Sequence, residues 1–403
     1  MGQVWRRNLR TVWVAEFLAV IAFSSFVPML PYYIQSLSVS EESVEAWSGI
    51  VISAPFWAMA VVSPIWGMLS DRYGRKVMVE RAMFSGFVIT LLMGFSQNVG
   101  QLALFRLIQG ALTGTVTAAT TLVASGTPRD RLGETLGKLQ LAIFMGQSLG
   151  PICGGFVADQ LGYAPVFWMA AGFLLIAGLL IFFFVRESFT PVEQDDAEPL
   201  WHSLRQNFGL IFTESMLGLV LALRFSLRVG IQLPQPVLSL LVQDLLPEGS
   251  FVGSAAGLLT TVSGLSGAVA APTLGRLADK YGGRTILLGC AWVGGTALIV
   301  QSLAPGYILL LICQALLGLT IGGTLATLSA YVGRLAPEGR SGAAYGLDAM
   351  AVSMSGAVGP FVGGWIARWF TLRTPFMIGG ILMSLSSLGV LRLPKDKKVP
   401  EQA

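Results

Sequence analysis

The stretch Pro64-Ile-Trp-Gly-Met-Leu-Ser-Asp-Arg-Tyr-Gly-Arg-Lys76 decides the fold, because it sets one carboxylate, three cations and two glycines between two long apolar runs. Residues 272–284, Pro-Thr-Leu-Gly-Arg-Leu-Ala-Asp-Lys-Tyr-Gly-Gly-Arg, repeat the pattern 208 positions later. Asp71 recurs as Asp279 and Gly74 as Gly282. A charged motif that recurs between membrane-length apolar runs indicates a duplicated membrane domain.

Composition also indicates a protein that lies in lipid. The 403 residues are 54% hydrophobic and only 12% charged, whereas soluble domains carry about 25% charged residues. The run 166–185 has no charge and no proline, and it is long enough to cross a bilayer as a helix. The first apolar run is too long for a cleavable signal, so we expect it to remain as a permanent helix.

The reactive side chains do not form a catalytic or metal-binding pattern. Cys153, Cys290 and Cys313 all lie in apolar segments, and the single histidine, His202, lies in a polar linker. This spacing disfavours a disulfide framework and a His/Cys metal site. No Ser-His-Asp, HExxH or P-loop arrangement occurs. We therefore expect no enzyme activity and no cofactor.

Apolar runs and polar breaks predict twelve transmembrane helices, near residues 10–36, 46–69, 77–97, 101–125, 134–159, 163–185, 211–243, 251–277, 285–303, 306–333, 341–367 and 373–392. Of the 26 lysines and arginines, 20 lie in the termini and in alternate connections that share one side. Positive residues favour the cytoplasm, so both termini are predicted to be cytoplasmic. The net charge of +4 thus reflects topology and gives no indication of nucleic-acid binding.

The repeat covers the whole chain and predicts two six-helix bundles of the same orientation. Gly110 and Gly114 match Gly318 and Gly322, and the Gly-Pro pair at 150–151 matches that at 359–360. We predict an N-terminal bundle over 1–185, a cytoplasmic linker over 186–210 and a C-terminal bundle over 211–403. Paired halves of this kind serve alternating access in transporters. A monomer is expected, because each chain contains both halves.

Three motifs resemble the major facilitator superfamily, in particular its twelve-helix drug:proton antiporter branch and bacterial multidrug exporters. The charged motif is similar to the signature between helices 2 and 3, and Leu104-Phe-Arg-Leu-Ile-Gln-Gly110 resembles the helix 4 motif. Gly146-Gln-Ser-Leu-Gly-Pro-Ile-Cys-Gly-Gly155 resembles the helix 5 antiporter motif. The resemblance implies a proton-coupled exporter in the bacterial inner membrane, with Arg106 affecting proton transfer.

The charged motif has a physical interpretation of its own. Two glycines permit a tight turn, and the aspartate can cap a helix or pair with an arginine to hold the cytoplasmic side closed. The alternative is a turn that only fixes orientation through its cations. The gating candidates are Gly67, Asp71, Arg72, Gly74, Arg75 and the second-copy Asp279.

The helix 5 motif predicts close packing of two helices. Gly146, Gly150 and Gly154 recur every four residues on one face, a small-residue pattern typical of helix contacts in membranes. Pro151 bends the helix, with Gly155 beside this face, and the bent seam is a plausible pivot.

Ionisable residues within membrane helices are costly and mark functional sites. Six occur: Glu16, Arg106, Lys138, Arg224, Arg228 and Asp348. In one interpretation Glu16, or as second choice Asp348, is a protonatable site. In the other, Glu16, Lys138, Arg224 and Asp348 form a salt-bridge layer that seals the cytoplasmic half. The two interpretations are compatible, because titratable gate pairs also couple protons.

The predicted substrate is a lipophilic or amphipathic compound. Apolar and aromatic residues with few polar groups line helices 1 and 7 and suit such ligands; the candidates are Phe23, Val27, Tyr32, Gln35, Arg228 and Gln232. Arg224 and Arg228 additionally favour anionic compounds. The expected partners are substrate, protons and the lipid bilayer. Alternatives are a proton-coupled transporter of one polar metabolite and a lipid flippase.

Overall fold

Helices account for all regular structure in the described part of the computed structural model, which comprises residues 4–37, 40, 43–128, 131–187, 215–337 and 341–393. The helices are α1 (Val4–Phe26), α2 (Leu30–Ser36), α3 (Val44–Tyr73), α4 (Arg75–Met93), α5 (Val99–Leu112), α6 (Thr115–Gly126), α7 (Leu132–Leu161), α8 (Tyr163–Phe184), α9 (Ser215–Gln232), α10 (Gln235–Leu245), α11 (Val252–Tyr281), α12 (Gly283–Ser302), α13 (Tyr307–Leu335), α14 (Ser341–Trp369) and α15 (Thr374–Val390).

These helices confirm the predicted all-helical membrane fold. Within the described ranges, ten segments are long and apolar enough to cross a membrane. The other two predicted spans correspond to α4, whose first two turns carry four charged residues, and to α15, which has only 17 residues. The protein is therefore a multi-pass membrane protein. Most of the predicted linker, from residue 188 to 210, lies outside the described residues.

Three predicted spans are interrupted in the structure. The first passes through a short 3-10 segment at Val27–Met29, which contains Pro28 and is followed by Pro31. The seventh is divided between α9 and α10, where Pro234 and Pro236 occur. Proline removes a helical hydrogen-bond donor, which accounts for both interruptions. The fourth divides at Thr113 and Gly114, where no proline is present, so the continuous helix predicted over 101–125 was wrong.

The charged motif is helical almost throughout, so the predicted tight turn is confined to one of its two glycines. α3 continues to Tyr73, α4 begins at Arg75, and Gly74 alone joins them with φ of 98°. Gly67 therefore lies inside α3 rather than in a turn. The second copy repeats the junction, with Gly282 at φ of 93° between α11 and α12. This backbone region favours glycine, so one residue makes each helical hairpin.

The chain divides into two compact units. Unit 1 comprises Met1–Glu193 and Leu238–Thr261, and unit 2 comprises Gln194–Val237 and Val262–Ala403. In unit 1, α1 packs on α7 and α8, α4 on α8, and α3 on α5. In unit 2, α9 packs on α14 and α15, and α12 on α13 and α15. The pairing of spans one with five and three with six thus recurs as seven with eleven and nine with twelve.

Close backbone approaches repeat along with the sequence. A Cβ added at Gly110 would overlap the backbone of Pro55 in unit 1, and one added at Gly318 would overlap that of Ser263 in unit 2. Both pairs are 208 positions apart. Small residues allow helix backbones to meet in membranes. The duplicated glycines therefore fix the same helix packing in each unit.

Candidate functional site

Glu16 is a fully buried carboxyl group in α1. Its Oε1 accepts a hydrogen bond of 3.3 Å from the Oγ1 of Thr115, at the start of α6. Its side chain is 0% exposed, and Oε2 has no hydrogen-bond partner among the described residues. No lysine or arginine in the described part of unit 1 forms an ion pair with it. A buried carboxylate without a cation is costly unless it carries a proton.

Arg106 is the centre of a buried polar cluster in unit 1. Its Nε donates to the carbonyl oxygen of Val51 at 3.1 Å, and its Nη1 donates to Oε1 of Gln109 at 2.6 Å. The Nε2 of Gln109 in turn donates to Thr90 Oγ1 at 3.1 Å. The guanidinium carbon lies 5.6 Å from the ring centroid of Phe26. Neutral acceptors and an aromatic face thus hold this cation, and no carboxylate in the described ranges compensates its charge.

The break in the fourth span exposes carbonyl groups that three side chains bind. The indole Nε1 of Trp66 donates to the carbonyl of Ala111 at 2.6 Å, and Ser85 Oγ donates to that of Leu112 at 3.2 Å. Arg81 Nη2 donates to the carbonyl of Thr113 at 3.5 Å, with its guanidinium stacked 3.4 Å over the Trp66 ring. Irregular backbone inside a membrane needs such partners.

The glycines of the helix 5 motif bring α7 onto α1. Added Cβ atoms at Gly146, Gly150 and Gly154 would overlap residues of α1, including the carbonyl oxygen of Ser25 for Gly154. Ser24 Oγ donates across this seam to the carbonyl of Gly146 at 3.0 Å. In unit 2, Gly363 meets Leu233 as Gly154 meets Ser25. The motif therefore packs α7 closely against α1.

The opposite end of α7 contacts the start of α11 within unit 1. Both carboxylate oxygens of Asp159 accept backbone N–H groups there, from Gly253 at 2.8 Å and Ser254 at 2.7 Å. A carboxylate at a helix N-terminus is favoured by the helix dipole and by the unpaired N–H groups. A Cβ at Gly155 would overlap the Gly253 carbonyl, and Pro151 contacts Gly257. These contacts join the antiporter motif to α11.

Arg224 and Asp348 form a buried ion pair in unit 2. Arg224 Nε and Nη2 donate to the two carboxylate oxygens of Asp348 at 2.7 and 2.8 Å. Nη2 also donates to Ser329 Oγ at 2.7 Å. The two side chains are only 4% and 12% exposed. A bidentate pair with a further hydroxyl partner is the strong form of this interaction.

Arg228 lies one turn beyond Arg224 on α9, and its buried Nε has no hydrogen-bond partner in the described chain. The two arginines line a small cavity between α9 and α13, together with Leu227, Ile231, Ile321, Thr324, Leu325 and Leu328. Asp348 already binds Arg224. The cavity therefore carries one excess positive charge among mostly apolar walls.

The structure places three of the remaining gating candidates, Lys138, Asp279 and Arg72, at exposed positions, whereas Gly74 is buried and Arg75 is half-buried. Lys138 is exposed and pairs with Glu134 on its own helix, while Glu16 binds Thr115. Arg334 donates to Asp279 at 3.2 Å, and both side chains are more than half exposed. The surroundings of positions 67 and 71 are outside the described side chains.

A carboxylate that the sequence analysis missed caps α4. Glu187, just after α8, accepts the backbone N–H groups of Arg75 at 3.1 Å and Lys76 at 2.8 Å. Its only sequence signal is a single glutamate after an apolar span, which is too weak to identify a cap. Thr115, Thr90 and Asp159 were missed for a related reason, because isolated hydroxyl and acidic residues have no periodic pattern.

The substrate candidates differ in accessibility. Phe23 and Val27 are half-buried, and Gln35 is exposed. Tyr32 is 1% exposed, and its hydroxyl donates to the carbonyl of Ser239. Gln232 packs against Gly359 in unit 2. Phe23 also approaches Gly86, and Thr113, at the break in the fourth span, approaches the same glycine.

Repeated helical units with buried charges inside the spans define a polytopic membrane transporter. The family model of the Major Facilitator Superfamily matches residues 12–245 and 220–403. The chain belongs to the major facilitator superfamily.

Known relatives and solved structures agree with this assignment. The multidrug resistance protein MdtG of Klebsiella pneumoniae (strain 342) is 32% identical over 99% of this chain and 97% of its own length. MdtG of Citrobacter koseri is also 32% identical, over 93% of this chain and 91% of its own. The nucleoside transporter NupG has a TM-score of 0.76 at 15% identity, covering 96% of this chain and 100% of NupG. The human organic anion transporter MFSD10 has a TM-score of 0.70 at 18% identity, covering 96% of this chain and 99% of MFSD10.

Proposed function

We propose that this transporter exports lipophilic or amphipathic compounds from the bacterial cytoplasm in exchange for protons, by alternating access as a monomer in the inner membrane. The observation that carries the proposal is Glu16, which is fully buried and has Thr115 as its single hydrogen-bond partner in the described chain. Such a group can take up a proton without disrupting an ion pair. The names of the MdtG relatives support multidrug export as the direction and purpose of transport.

Arg106 contributes a second part of the proposal. Its neutral partners leave it free to respond to the charge of a proton or substrate nearby, because no carboxylate among the described residues pairs with it. Asp348 remains the second candidate for the proton site. Its bidentate pair with Arg224 gives it a lasting counter-charge, which favours Glu16 as the carrier.

The gating and substrate assignments follow from the same scheme. We assign the α3–α4 and α11–α12 junctions to the cytoplasmic gate, where Asp279 and Arg334 exchange partners as the gate opens. The excess charge of Arg228 favours compounds that combine an apolar body with an acidic group. Phe23, Val27, Tyr32, Gln35 and Gln232 provide the apolar and amide contacts.

The test is substrate-driven proton release from proteoliposomes, with a panel of lipophilic cations and anions. We compare the wild type with Glu16→Gln and Asp348→Asn. The expected result is that Glu16→Gln still binds substrate, measured by equilibrium binding, but no longer releases protons. Normal proton release in Glu16→Gln would contradict the assignment of the proton site.

The substrate panel separates the alternatives. Transport that saturates for a single sugar or acid, with no movement of the lipophilic compounds, would contradict export of a broad substrate class. Movement of labelled lipid between leaflets without proton release would indicate a flippase instead.

A further inference from the structure

The break in the fourth span is present in only one of the two repeats. At Gly114 the backbone takes φ of 115°, which ends α5 and starts α6. The matching residue in the second half, Gly322, lies inside α13, which is continuous from Tyr307 to Leu335. The two sequences carry the same glycine at this position. The glycine alone therefore does not cause the break, which must depend on residues that differ between the repeats.

The residues that face this span also differ between the repeats. Glu16 occupies the position that Arg224 occupies 208 residues later. Arg224 has Asp348 as its counter-charge and lies against intact α13, where Leu325 and Ser329 accept its hydrogen bonds. Glu16 has no cation among the described residues, and it lies against the helix that breaks. In the second repeat the buried cation Arg224 pairs with a carboxylate, whereas in the first repeat the buried carboxyl group of Glu16 contacts the N-terminus of α6.

The two ends of the break are treated differently. Side chains of Trp66, Ser85 and Arg81 bind the carbonyl groups released at the end of α5. Gly114, the N-cap residue of α6, has no side chain that could cap the first N–H groups of the helix. Helix N-termini carry unpaired N–H groups and a partial positive charge, and they favour anions. Glu16 contacts the first residue of α6 through Oε1, while buried Oε2 stays unsatisfied.

Other charges near Glu16 are engaged elsewhere. The helices that pack on α1 are α6, α7 and α8, and α6 has no titratable residue. On α7, Glu134 pairs with Lys138, and Asp159 binds the backbone of α11. The other titratable side chains of α7 and α8 are Cys153, which is exposed, and Tyr163, whose ring makes a tilted contact with that of Tyr32. Across the break, the Arg81 guanidinium stacks on Trp66.

We propose that the N-terminus of α6 is the counter-charge of Glu16, and that Gly114 and Thr115 are positioning residues for the proton site. When Glu16 releases its proton, the Thr115 hydroxyl and the first-turn N–H groups of α6 stabilise the carboxylate in place of a cation. Because a helix end is fixed while an ion pair exchanges partners, the carboxyl group can load and release protons without a rearrangement of side chains. This inference rests on the proposed proton exchange.

The test measures how proton binding depends on these two residues. Thr115→Val removes the hydroxyl at nearly constant volume, and Thr115→Ser retains it. Gly114→Ala disfavours the left-handed backbone, while an added Cβ meets no atom within 4 Å, so any effect reports on conformation. Gly126→Ala is the matched control, because it lies at the other end of α6 and its Cβ is equally unobstructed.

Two readouts are collected for each variant in lipid. One is the pH profile of substrate-driven transport. The other is the pH dependence of the infrared C=O band of the protonated carboxyl, assigned to Glu16 by its loss in Glu16→Gln. In Thr115→Val and Gly114→Ala we expect both midpoints to move to higher pH by about one unit, because the ionised form loses a helix-end interaction. Thr115→Ser and Gly126→Ala should retain the wild-type midpoints.

The outcomes separate this inference from the proposed function. Unchanged infrared midpoints in both Thr115→Val and Gly114→Ala would overturn the role of α6, even if the wild type exchanges protons. A wild type that transports without any dependence on the pH gradient would contradict proton coupling. The infrared titration would then still decide whether α6 stabilises the carboxylate. If Gly114→Ala fails to fold, Thr115→Val and Thr115→Ser alone decide the matter.

Discussion

Neutralising one member of the Arg224–Asp348 pair should destabilise the protein more than neutralising both. The pair is bidentate and nearly excluded from solvent, so Asp348→Leu leaves a buried cation with only Ser329 and a backbone carbonyl as partners. Removal of one partner of a buried pair costs about 3–5 kcal/mol. The nearby Arg228 should place Asp348→Leu at the upper end of that range, since two neighbouring cations then lack a carboxylate.

The double variant Arg224→Met/Asp348→Leu removes both charges at similar volume. Apolar replacement of a whole buried pair is close to neutral. The loss of unfolding free energy in the double variant should therefore be about 3 kcal/mol smaller than the sum of the losses in the two single variants. The assay is the free energy of unfolding from denaturant titration in lipid–detergent micelles. Glu248→Gln, at an exposed carboxylate, is the control and should leave stability unchanged. Additive losses in the double variant would refute the coupling inferred from the structure.

Two further predictions concern unit 1. Gly154→Ala should lower the unfolding free energy by about 1–3 kcal/mol, because its Cβ overlaps the Ser25 carbonyl. Gly172→Ala is the control, since its Cβ meets no atom within 4 Å. Equal losses of stability in the two variants would contradict close packing of α7 on α1. Arg106→Lys should reduce transport at least tenfold while substrate binding persists, because an ammonium lacks the planar donors that reach Val51 and Gln109 together. Gln101→Glu, an exposed change on the same helix, should keep full flux, and full flux in Arg106→Lys would contradict the role of its geometry.

The sequence predicted the order and approximate limits of the twelve spans, because apolar length is sufficient to locate a membrane helix. The prediction of helix continuity failed where the same residue type has different effects in the two repeats. Gly114 and Gly322 occupy matching positions, yet one ends a helix and the other lies within one. Local composition cannot distinguish them, since the difference depends on which side chains approach from other helices. The extent of the turn in the charged motif was also wrong. Its polar residues were assigned to the turn, whereas they continue the helices on both sides of Gly74, where the chain reverses direction.

The sequence predicted which charged residues of the candidate site are buried, but it predicted only some of the groups that they bind. Counting from the helix ends selected Glu16, Arg224 and Asp348 as buried charges, and all three are buried. The same count placed Lys138 with them, whereas it pairs with Glu134 at the exposed start of α7. The four-residue spacing of these two residues favours such a pair within one helix. The binding of Glu16 to Thr115 depends on the break and could not have been derived from spacing.

The single-residue junctions at Gly74 and Gly282 also bear on how the protein is made. Adjacent Cα atoms are 3.8 Å apart, so the end of α3 fixes the start of α4 within a few ångströms. We expect the charges beside the junction to stay on the cytoplasmic side. A shift of one helix end along the bilayer normal must therefore be shared by the other, so each helical pair should reach its final depth in the membrane as one hairpin.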